Sequence, residues 1–260
     1  MTAMSWALGI LEVGVIPRLP LNIYLPSALP DELIDPPCFC YIASDGSRTI
    51  IVDSGPDRAR SAAAGLDIEG DSTELLSLGL RTWGIDPDDV ACIVHTHLHY
   101  DHMQNDLLFP NAVVYAQQAE VEWASSPNGG PFYVGVHELV TALGDRLHMI
   151  DGDAEILPGL RVVLNGGHTP GHQSVLVDTA ARVVCLCGDI VSLFANVDVV
   201  GSVCPNVQQT TAFLDRARSA GWEMVPSHDP KLREHRWYIR PPTDEAAVSL
   251  RPETKSGRPA

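Results

Sequence analysis

The segment HTHLHYDHMQND, residues 95–106, contains four of the ten histidines of this 260-residue chain, together with two aspartates. It continues the apolar run VACIV, which is typical of a buried strand. Side chains at positions i and i+2 of an extended segment share a face, so His97 and His99 are expected to point together. Asp101 and His102 follow where the chain bends towards a helix. The segment therefore predicts a cluster of nitrogen and oxygen ligands at the end of a strand.

Imidazole nitrogens and carboxylate oxygens together suit zinc, manganese, iron or cobalt better than calcium or magnesium. A catalytic zinc usually has three protein ligands and one open position, so the four groups of this loop exceed one site and do not complete two. Three later residues each follow a β-type run: His168 in NGGHTPGH, Asp189 in LCGD and His228 in VPSHD. With one carboxylate shared, the seven groups would complete a site for two divalent metal ions.

The order of these motifs resembles the metallo-β-lactamase-fold hydrolases. The pattern HxHxDH is followed by GHTPGH, GD and SHD, and the resemblance extends over about residues 35–230. It implies an α+β fold, a four-layer αββα sandwich with the metal ions at one edge of the two sheets. The implied ligands are His97, His99 and His168 for the first ion, Asp101, His102 and His228 for the second, and Asp189 for both.

Within that superfamily, TPGHQS, FPNA and SHD are most similar to the branch of N-acyl homoserine lactonases and pyridoxolactonases. This similarity implies that a hydroxide between two metal ions attacks the carbonyl of a small lactone or a related ester or amide. Zinc is the expected metal, and manganese, iron and cobalt are the alternatives. Asp101 would both bind metal and relay a proton. Ser192 stands where the branch usually has a tyrosine, so we expect lower activity on acyl homoserine lactones.

Other residues are expected to support the site or to line a substrate pocket. His172 is expected to orient the metal loop by hydrogen bonding, and His95 to face away from the metals. Asp53 has two readings, a hydrogen-bonding support for the metal loop or a cap of a strand-end turn. Aromatic residues near the site could line a pocket or simply pack. The candidate pocket residues are Phe132, Tyr133, Ser192 and Phe194.

Hydrophobic patterning indicates one domain over residues 1–238, with a flexible tail over 239–260 that is rich in Pro and charge. The apolar start lacks a basic leader and is interrupted by Glu12, so it predicts a strand. The strand-type runs are ALGILEVGVI, CFCYIAS, TIIVDSG, VACIVHT, AVVYA, LRVVLNGG, SVLVDT, RVVCLCGD and EMVPSHD. The helical runs are STELLSLGLRTWG, QQAEVEWAS, HELVTALGD and NVQQTTAFLDRARSAG, the last with Asn206 and Gly221 as caps.

Composition limits the partners of the chain. A formal net charge of −16 repels polyanions, so nucleic acid is disfavoured and a small-molecule substrate is expected. No segment is expected to enter a membrane. Six cysteines within apolar runs are expected to be small buried groups in a reducing cytoplasm rather than disulfides. The number of subunits stays open, a homodimer included.

Two other functions fit the same ligand set. A thioester hydrolase of the glyoxalase II type would need a basic cluster for the carboxylates of its substrate, and KLREHR (231–236) is the one modest candidate. A metal-binding protein without catalytic activity could use the same scaffold. Phosphodiester cleavage is disfavoured by the acidic charge.

Overall fold

The computed structural model describes residues 5–239, so the segment expected to be a flexible tail lies outside the described residues except for Ile239. In this part of the chain the strands are β1 (Ala7–Val15), β2 (Leu19–Pro20), β3 (Leu33–Ile34), β4 (Pro37–Ser44), β5 (Thr49–Val52), β6 (Val90–Val94), β7 (Val113–Gln117), β8 (Leu147–Ile150), β9 (Ala154–Leu157), β10 (Leu160–Leu164), β11 (Gln173–Asp178), β12 (Val183–Leu186) and β13 (Glu223–Val225).

The α-helices of the described chain are α1 (Arg58–Ala63), α2 (Ser72–Thr82), α3 (Tyr100–Met103), α4 (Gln118–Ala124), α5 (Val136–Leu143) and α6 (Val207–Ala220). Short 3₁₀ turns lie at Leu21–Ile23, Pro87–Asp89, Asp106–Leu108, Pro131–Tyr133, Gly144–Arg146, Gly188–Val191, Phe194–Val197 and Pro230–Glu234. The caps expected for α6 are present. The Asn206 side chain accepts a hydrogen bond from the Gln209 N–H, and Gly221 ends the helix in the left-handed conformation that favours glycine.

Two sheets form the centre of the molecule, with strand orders β1-β4-β5-β6-β7-β8 and β13-β12-β11-β10-β9. In the first sheet β5, β6, β7 and β8 are parallel neighbours, and in the second β13 runs parallel to β12. Parallel neighbours end at the same edge of a sheet. The loops after β5 and β6 therefore lie side by side, and so do the loops after β12 and β13.

Alternation along the strands separates the layers. On β4, Phe39 and Tyr41 pack between the two sheets, whereas Cys40 and Ile42 face the helices outside the first sheet. Helices α2, α3 and α5 cover that outer face, and α6 covers the second sheet through Phe213 and its neighbours. The layers run helix, sheet, sheet, helix, so the predicted α+β fold with an αββα sandwich is confirmed.

The nine strand-type runs and four helical runs expected from the sequence all contain an element of that type. The structure adds the strands β2, β3, β8 and β9 and the helix α1, which had not been expected. All six cysteines are free and buried, as expected. Across the described residues, no helix has both the length and the apolar character that crossing a membrane requires.

Candidate metal centre

The loop after β6 holds the first four candidate ligands. His99 is extended, with φ −67° and ψ 155°, and directly precedes α3. The rings of His97 and His99 meet edge to face with their centroids 4.5 Å apart. Asp101 and His102 belong to α3, where Asp101 faces His228, while the ring of His102 lies 4.1 Å from that of His97 at the boundary between the two sets of ligands. The loop thus divides its ligands between two groups.

The first group consists of His97, His99 and His168. One ring nitrogen of each lies within 4.8 Å of the others. His168 Nδ1 donates a hydrogen bond to the Val203 carbonyl at 2.6 Å, which leaves Nε2 free to face His99 Nδ1 at 3.1 Å. Burial lowers the pKa of His99 to about 3, so the His99 imidazole is neutral and able to ligate at neutral pH.

The second group consists of Asp101, His102 and His228. The Nε2 atoms of the two histidines lie 3.4 Å and 3.5 Å from Asp101 Oδ2. His228 Nδ1 donates to the Pro37 carbonyl at 2.8 Å, and this bond directs Nε2 towards the carboxylate. The thiol of Cys38 also lies within 4.8 Å of the Asp101 and His228 ligand atoms, and burial together with the Asp101 charge raises its pKa.

Asp189 lies between the two groups, on the 3₁₀ turn after β12. Its Oδ1 is 3.0 Å from His228 Nε2 and 3.4 Å from His102 Nε2, while its Oδ2 is 3.6 Å from His168 Nε2. The turn begins at Gly188, where φ is +62° and an added Cβ would lie 2.6 Å from His172 Nε2. A glycine at this position is therefore what lets the carboxylate turn towards both groups.

The donor set fits two divalent ions. Three imidazole nitrogens in the described chain are buried without a hydrogen-bond partner, and two of them, His97 Nε2 and His102 Nε2, belong to candidate ligands. An unpaired buried polar atom costs about 1–3 kcal/mol, so two of them within one cluster of ligands indicate atoms arranged for a metal. His102 Nε2 is close to two carboxylates, but no hydrogen bond of acceptable geometry forms.

Asp53 supports the cluster from behind. Its Oδ2 accepts hydrogen bonds from His102 Nδ1 and Thr96 Oγ1, both at 2.8 Å, and its Oδ1 accepts from the Thr96 N–H at 2.8 Å. Thr96 Oγ1 in turn lies 3.1 Å from His97 Nδ1. Of the two readings of Asp53, the contacts match the hydrogen-bonding support. Burial favours the neutral acid, but His102 outweighs it and lowers the pKa of Asp53.

His95 is turned away from the ligands and occupies a second buried network. Its Nε2 lies 2.8 Å from Asp106 Oδ2, and Ser54 Oγ donates to the other oxygen of Asp106 at 2.6 Å. Burial opposes a charge on the ring, but Asp106 and Asp53 raise the pKa of His95 to about 9. This histidine is therefore a cation that braces the loop.

His172 holds the backbone of Asp189. Its Nε2 accepts from the Asp189 N–H at 2.9 Å, and its Nδ1 donates to Asn165 Oδ1 at 2.7 Å. Burial lowers the pKa of His172 well below its usual value, which suits a neutral ring that accepts at one nitrogen and donates at the other. Ser227, which the sequence reading missed, donates to Asp189 Oδ1 at 2.7 Å.

A cavity of about 940 Å³ opens onto both groups. Its wall includes ligand residues such as Asp101 and Asp189 and a largely apolar surface to which Phe132 and Tyr133 contribute. Tyr133 meets His99 edge to face at 4.7 Å, and Phe132 is half exposed. The two aromatic residues expected in the 130s thus lie at the cavity.

The other two candidate pocket residues are corrected by the structure. Ser192 is buried behind the site, where its hydroxyl donates to the Asp189 carbonyl at 3.2 Å and its own carbonyl accepts from the His228 N–H. Phe194 packs against the core between the sheets. Neither belongs to the cavity wall. Ser192 directly follows the 3₁₀ turn after β12 and Phe194 begins the next 3₁₀ turn, and sequence position alone could not reveal where these side chains lie.

Tyr24 is a residue of the site that sequence reasoning missed. It follows the 3₁₀ turn at 21–23, lines the cavity, and has its ring centroid 6.2 Å from that of His228. Burial and the nearby charges of Asp189 and Asp101 raise its pKa well above the usual value, so the phenol keeps its proton. No motif in the surrounding segment could have signalled this role.

Comparison with known proteins agrees with the fold. The family model described as the metallo-beta-lactamase superfamily matches residues 33–245, and the chain belongs to that superfamily. The resemblance inferred from HxHxDH and the later motifs is thereby confirmed.

Among individual relatives, an N-acyl homoserine lactonase from Bacillus sp is 31% identical over 163 residues, which are 58% of this chain and 62% of the relative. The N-acyl homoserine lactonase AttM of Azorhizobium caulinodans is 37% identical over 108 residues, 38% of this chain and 40% of the relative. The match thus spans about three fifths of the length of the Bacillus protein.

Two solved structures share the fold over most of the chain. A quorum-quenching N-acyl homoserine lactone lactonase superposes with a TM-score of 0.74 at 21% identity, covering 90% of this chain and 95% of that one. AidC, described as a dizinc quorum-quenching lactonase, superposes with a TM-score of 0.69 at 20% identity, covering 88% and 90%. At these identities the likeness concerns the fold.

Proposed function

We propose that this protein is a dinuclear metal-dependent hydrolase that opens a small lactone or cleaves a related ester or amide. The observation that carries the proposal is the position of Asp189, whose two carboxylate oxygens face two separate groups of ligands at the floor of one cavity. One shared carboxylate between two such groups is an arrangement that suits a pair of closely spaced metal ions.

The first ion would be held by His97, His99 and His168, the second by Asp101, His102 and His228, and Asp189 would bridge them. Zinc is the metal we propose, because three imidazoles with a carboxylate suit it, and manganese, iron or cobalt would suit the same donors. When bound, the two ions would supply an activated water and polarisation of a carbonyl oxygen.

Residues of the chain complete the chemistry. Asp101 lies on the cavity wall, so its carboxylate can take a proton from the attacking water and pass it to the leaving alkoxide or amine. The protonated phenol of Tyr24 can donate a hydrogen bond to an oxygen of the substrate. In the described part of the chain no hydrogen bond engages that hydroxyl. The apolar wall with Phe132 would exclude bulk water and hold an apolar substituent of the substrate.

The lactone class is supported by the relatives, which are named N-acyl homoserine lactonases, and by a dizinc lactonase of the same fold. A cytoplasmic location would suit six buried free thiols. The glyoxalase II alternative is disfavoured, because Arg233 pairs with Glu12, Arg236 pairs with Glu223, and no Lys or Arg of the described chain lines the cavity.

The proposal is tested by metal analysis of the purified protein, followed by a hydrolysis screen of lactones, thioesters and phosphodiesters. We expect two divalent ions per chain and chelator-sensitive turnover of a lactone. Asp189→Ala and His168→Ala should abolish turnover, whereas Asp198→Ala and His137→Ala, at exposed positions, should not. Turnover that persists after complete metal removal would contradict the mechanism, and no turnover with a fully loaded protein would favour a non-catalytic metal-binding role.

A further inference from the structure

Glu120 is a buried acidic residue outside the ligand set. It lies in the first turn of α4, and only 1% of its surface is exposed to solvent. A buried carboxylate is costly unless hydrogen bonds or a cation compensate its charge. Its surroundings therefore indicate what keeps it there.

Four hydrogen bonds converge on the Glu120 carboxylate. Its Oε1 accepts from the Leu98 N–H at 3.0 Å and from the Tyr133 hydroxyl at 2.9 Å. Its Oε2 accepts from the Thr169 hydroxyl at 2.6 Å and from the Gly171 N–H at 3.1 Å. The two backbone N–H groups can only donate, and each takes a different oxygen, so both oxygens must act as acceptors.

These partners belong to the loops that hold the first group of candidate ligands. Leu98 is the residue between His97 and His99, and Thr169 directly follows His168. The loop at Gly171 lies so close to α4 that an added Cβ would be 2.2 Å from the Glu120 nitrogen. One carboxylate thus fixes the distance between two loops that are far apart in sequence.

The second group of ligands is oriented by other atoms. Asp53 holds His102, and the Pro37 carbonyl holds His228. Within the described chain, the hydrogen bonds of Glu120 reach none of the residues of that group. The two groups of ligands are therefore held in place by different residues. Loss of Glu120 should affect the first group and leave the second unchanged.

We propose that Glu120 is a positioning residue that assembles the first metal site, formed by His97, His99 and His168, and ties that site to Tyr133 in the cavity wall. The proposal rests on the dinuclear centre of the proposed function. Groups that orient metal ligands typically contribute 10- to 100-fold to metal affinity. Glu120 acts through the ligand loops and does not itself contact the substrate.

Glu120→Gln tests this inference. Glutamine has nearly the same shape as glutamate, but it replaces one carboxylate oxygen with an NH₂ group, which cannot accept the hydrogen bonds that this oxygen receives. Zinc affinity is measured for each equivalent by competition with a chromophoric chelator. We expect one of two zinc ions to bind about 10- to 100-fold more weakly. Glu122→Gln, on the exposed side of the same helix, should bind both ions like the wild type.

Double variants identify which ion is lost. Added to His228→Ala, which removes a ligand of the second site, Glu120→Gln should weaken the one remaining ion. Added to His168→Ala, which removes a ligand of the first site, it should cause no further loss. Tyr133→Phe should keep both ions tightly bound and should raise KM more than it lowers kcat, because Glu120 loses its bond to the cavity wall but keeps its three bonds to the ligand loops.

Several outcomes would overturn the inference. The inference is contradicted if the Glu120→Gln variant binds both ions with wild-type affinity. It is also contradicted if Glu120→Gln, added to His168→Ala, weakens binding of the one ion that remains. In both cases the proposed dinuclear function still stands. A wild-type chain that holds fewer than two ions contradicts the proposed function and the inference together. If Glu120→Gln does not fold, Thr169→Ala decides: weaker binding of one ion supports the inference, and unchanged binding of both overturns it.

Discussion

Asp53 Oδ2 lies 2.8 Å from Nδ1 of His102, and this hydrogen bond joins a residue after β5 to a candidate metal ligand on α3. The backbone of Asp53 has a φ of +56°, a left-handed conformation that is uncommon outside glycine, asparagine and aspartate. The loops after the parallel strands β5 and β6 are thus joined through the Asp53 carboxylate. The position of this carboxylate depends on the left-handed backbone conformation of Asp53.

Asp53→Asn should weaken the second metal site most, because Asp53 bonds directly to His102 and reaches His97 of the first site only through Thr96. Asparagine tolerates the left-handed backbone, so the turn is kept, but one oxygen that accepts from Thr96 or His102 is replaced by a donor. We expect one zinc ion to bind about 10- to 100-fold more weakly, measured by chelator competition. Asp67→Asn, on the exposed surface, is the control. Equal affinity of wild type and Asp53→Asn would show that the contact does not orient His102.

His172→Phe should affect both metal sites, because His172 holds the backbone of the residue that faces both. Phenylalanine fills the space but leaves the Asp189 N–H and Asn165 Oδ1 without their partners. The expected cost is about 1–3 kcal/mol in the free energy of unfolding, with weaker binding of both zinc ions. Urea denaturation and metal titration measure the two effects. Unchanged affinity for both ions would mean that Asp189 needs no such support.

Tyr24→Phe removes only a hydroxyl from the cavity wall. If the phenol binds an oxygen of the substrate, kcat/KM should fall roughly tenfold, the loss expected from about 1.4 kcal/mol of hydrogen bonding. Both metal ions should stay bound, because Tyr24 is no ligand. Steady-state kinetics with metal content measured on the same samples tests this. The same kcat/KM in the variant and the wild type would remove Tyr24 from the mechanism.

Ser192→Ala should have little effect, since the Ser192 hydroxyl is buried and bonds only to the Asp189 carbonyl. We expect kcat/KM within about fivefold of wild type, because one neutral hydrogen bond contributes about 1 kcal/mol or less here. Wild-type activity on a long-chain acyl homoserine lactone should also stay below a kcat/KM of about 10⁶ M⁻¹s⁻¹, the middle of the common range. A higher value would mean that another group fully replaces the tyrosine of the branch.

The sequence predicts the ligand cluster well because its chemistry is concentrated. His97, His99, Asp101 and His102 lie within six positions, and strand alternation followed by a helical turn is enough to divide them between two groups. His168, Asp189 and His228 could be found because each follows a β-type run, and strand ends meet at the edge of a sheet. Their roles as ligands stay predictions until a metal is measured.

The supporting residues could not be predicted, for physical reasons. Glu120, Tyr24 and Ser227 are single residues without a motif, and their contacts join segments 13 to 51 positions apart for Glu120 and 38 for Ser227. Only the packed fold brings such groups together. Ser192 was misjudged because the direction of a side chain on a 3₁₀ turn depends on neighbours that sequence does not display.

The short elements missed by the sequence reading have a similar explanation. In β8 and β9, no residue is fully buried, so the alternation of apolar and polar residues that marks a strand is weak. These strands form because β7 and β10 offer them a partner. Pairing with an existing sheet, rather than local propensity, decides their structure.

The most direct test of the account is a crystal structure of the protein loaded with zinc, with anomalous diffraction recorded at the zinc absorption edge. Two anomalous peaks are expected, one among His97, His99 and His168, the other among Asp101, His102 and His228, with Asp189 contacting both. A single peak, or peaks away from Asp189 in fully loaded crystals, would contradict it.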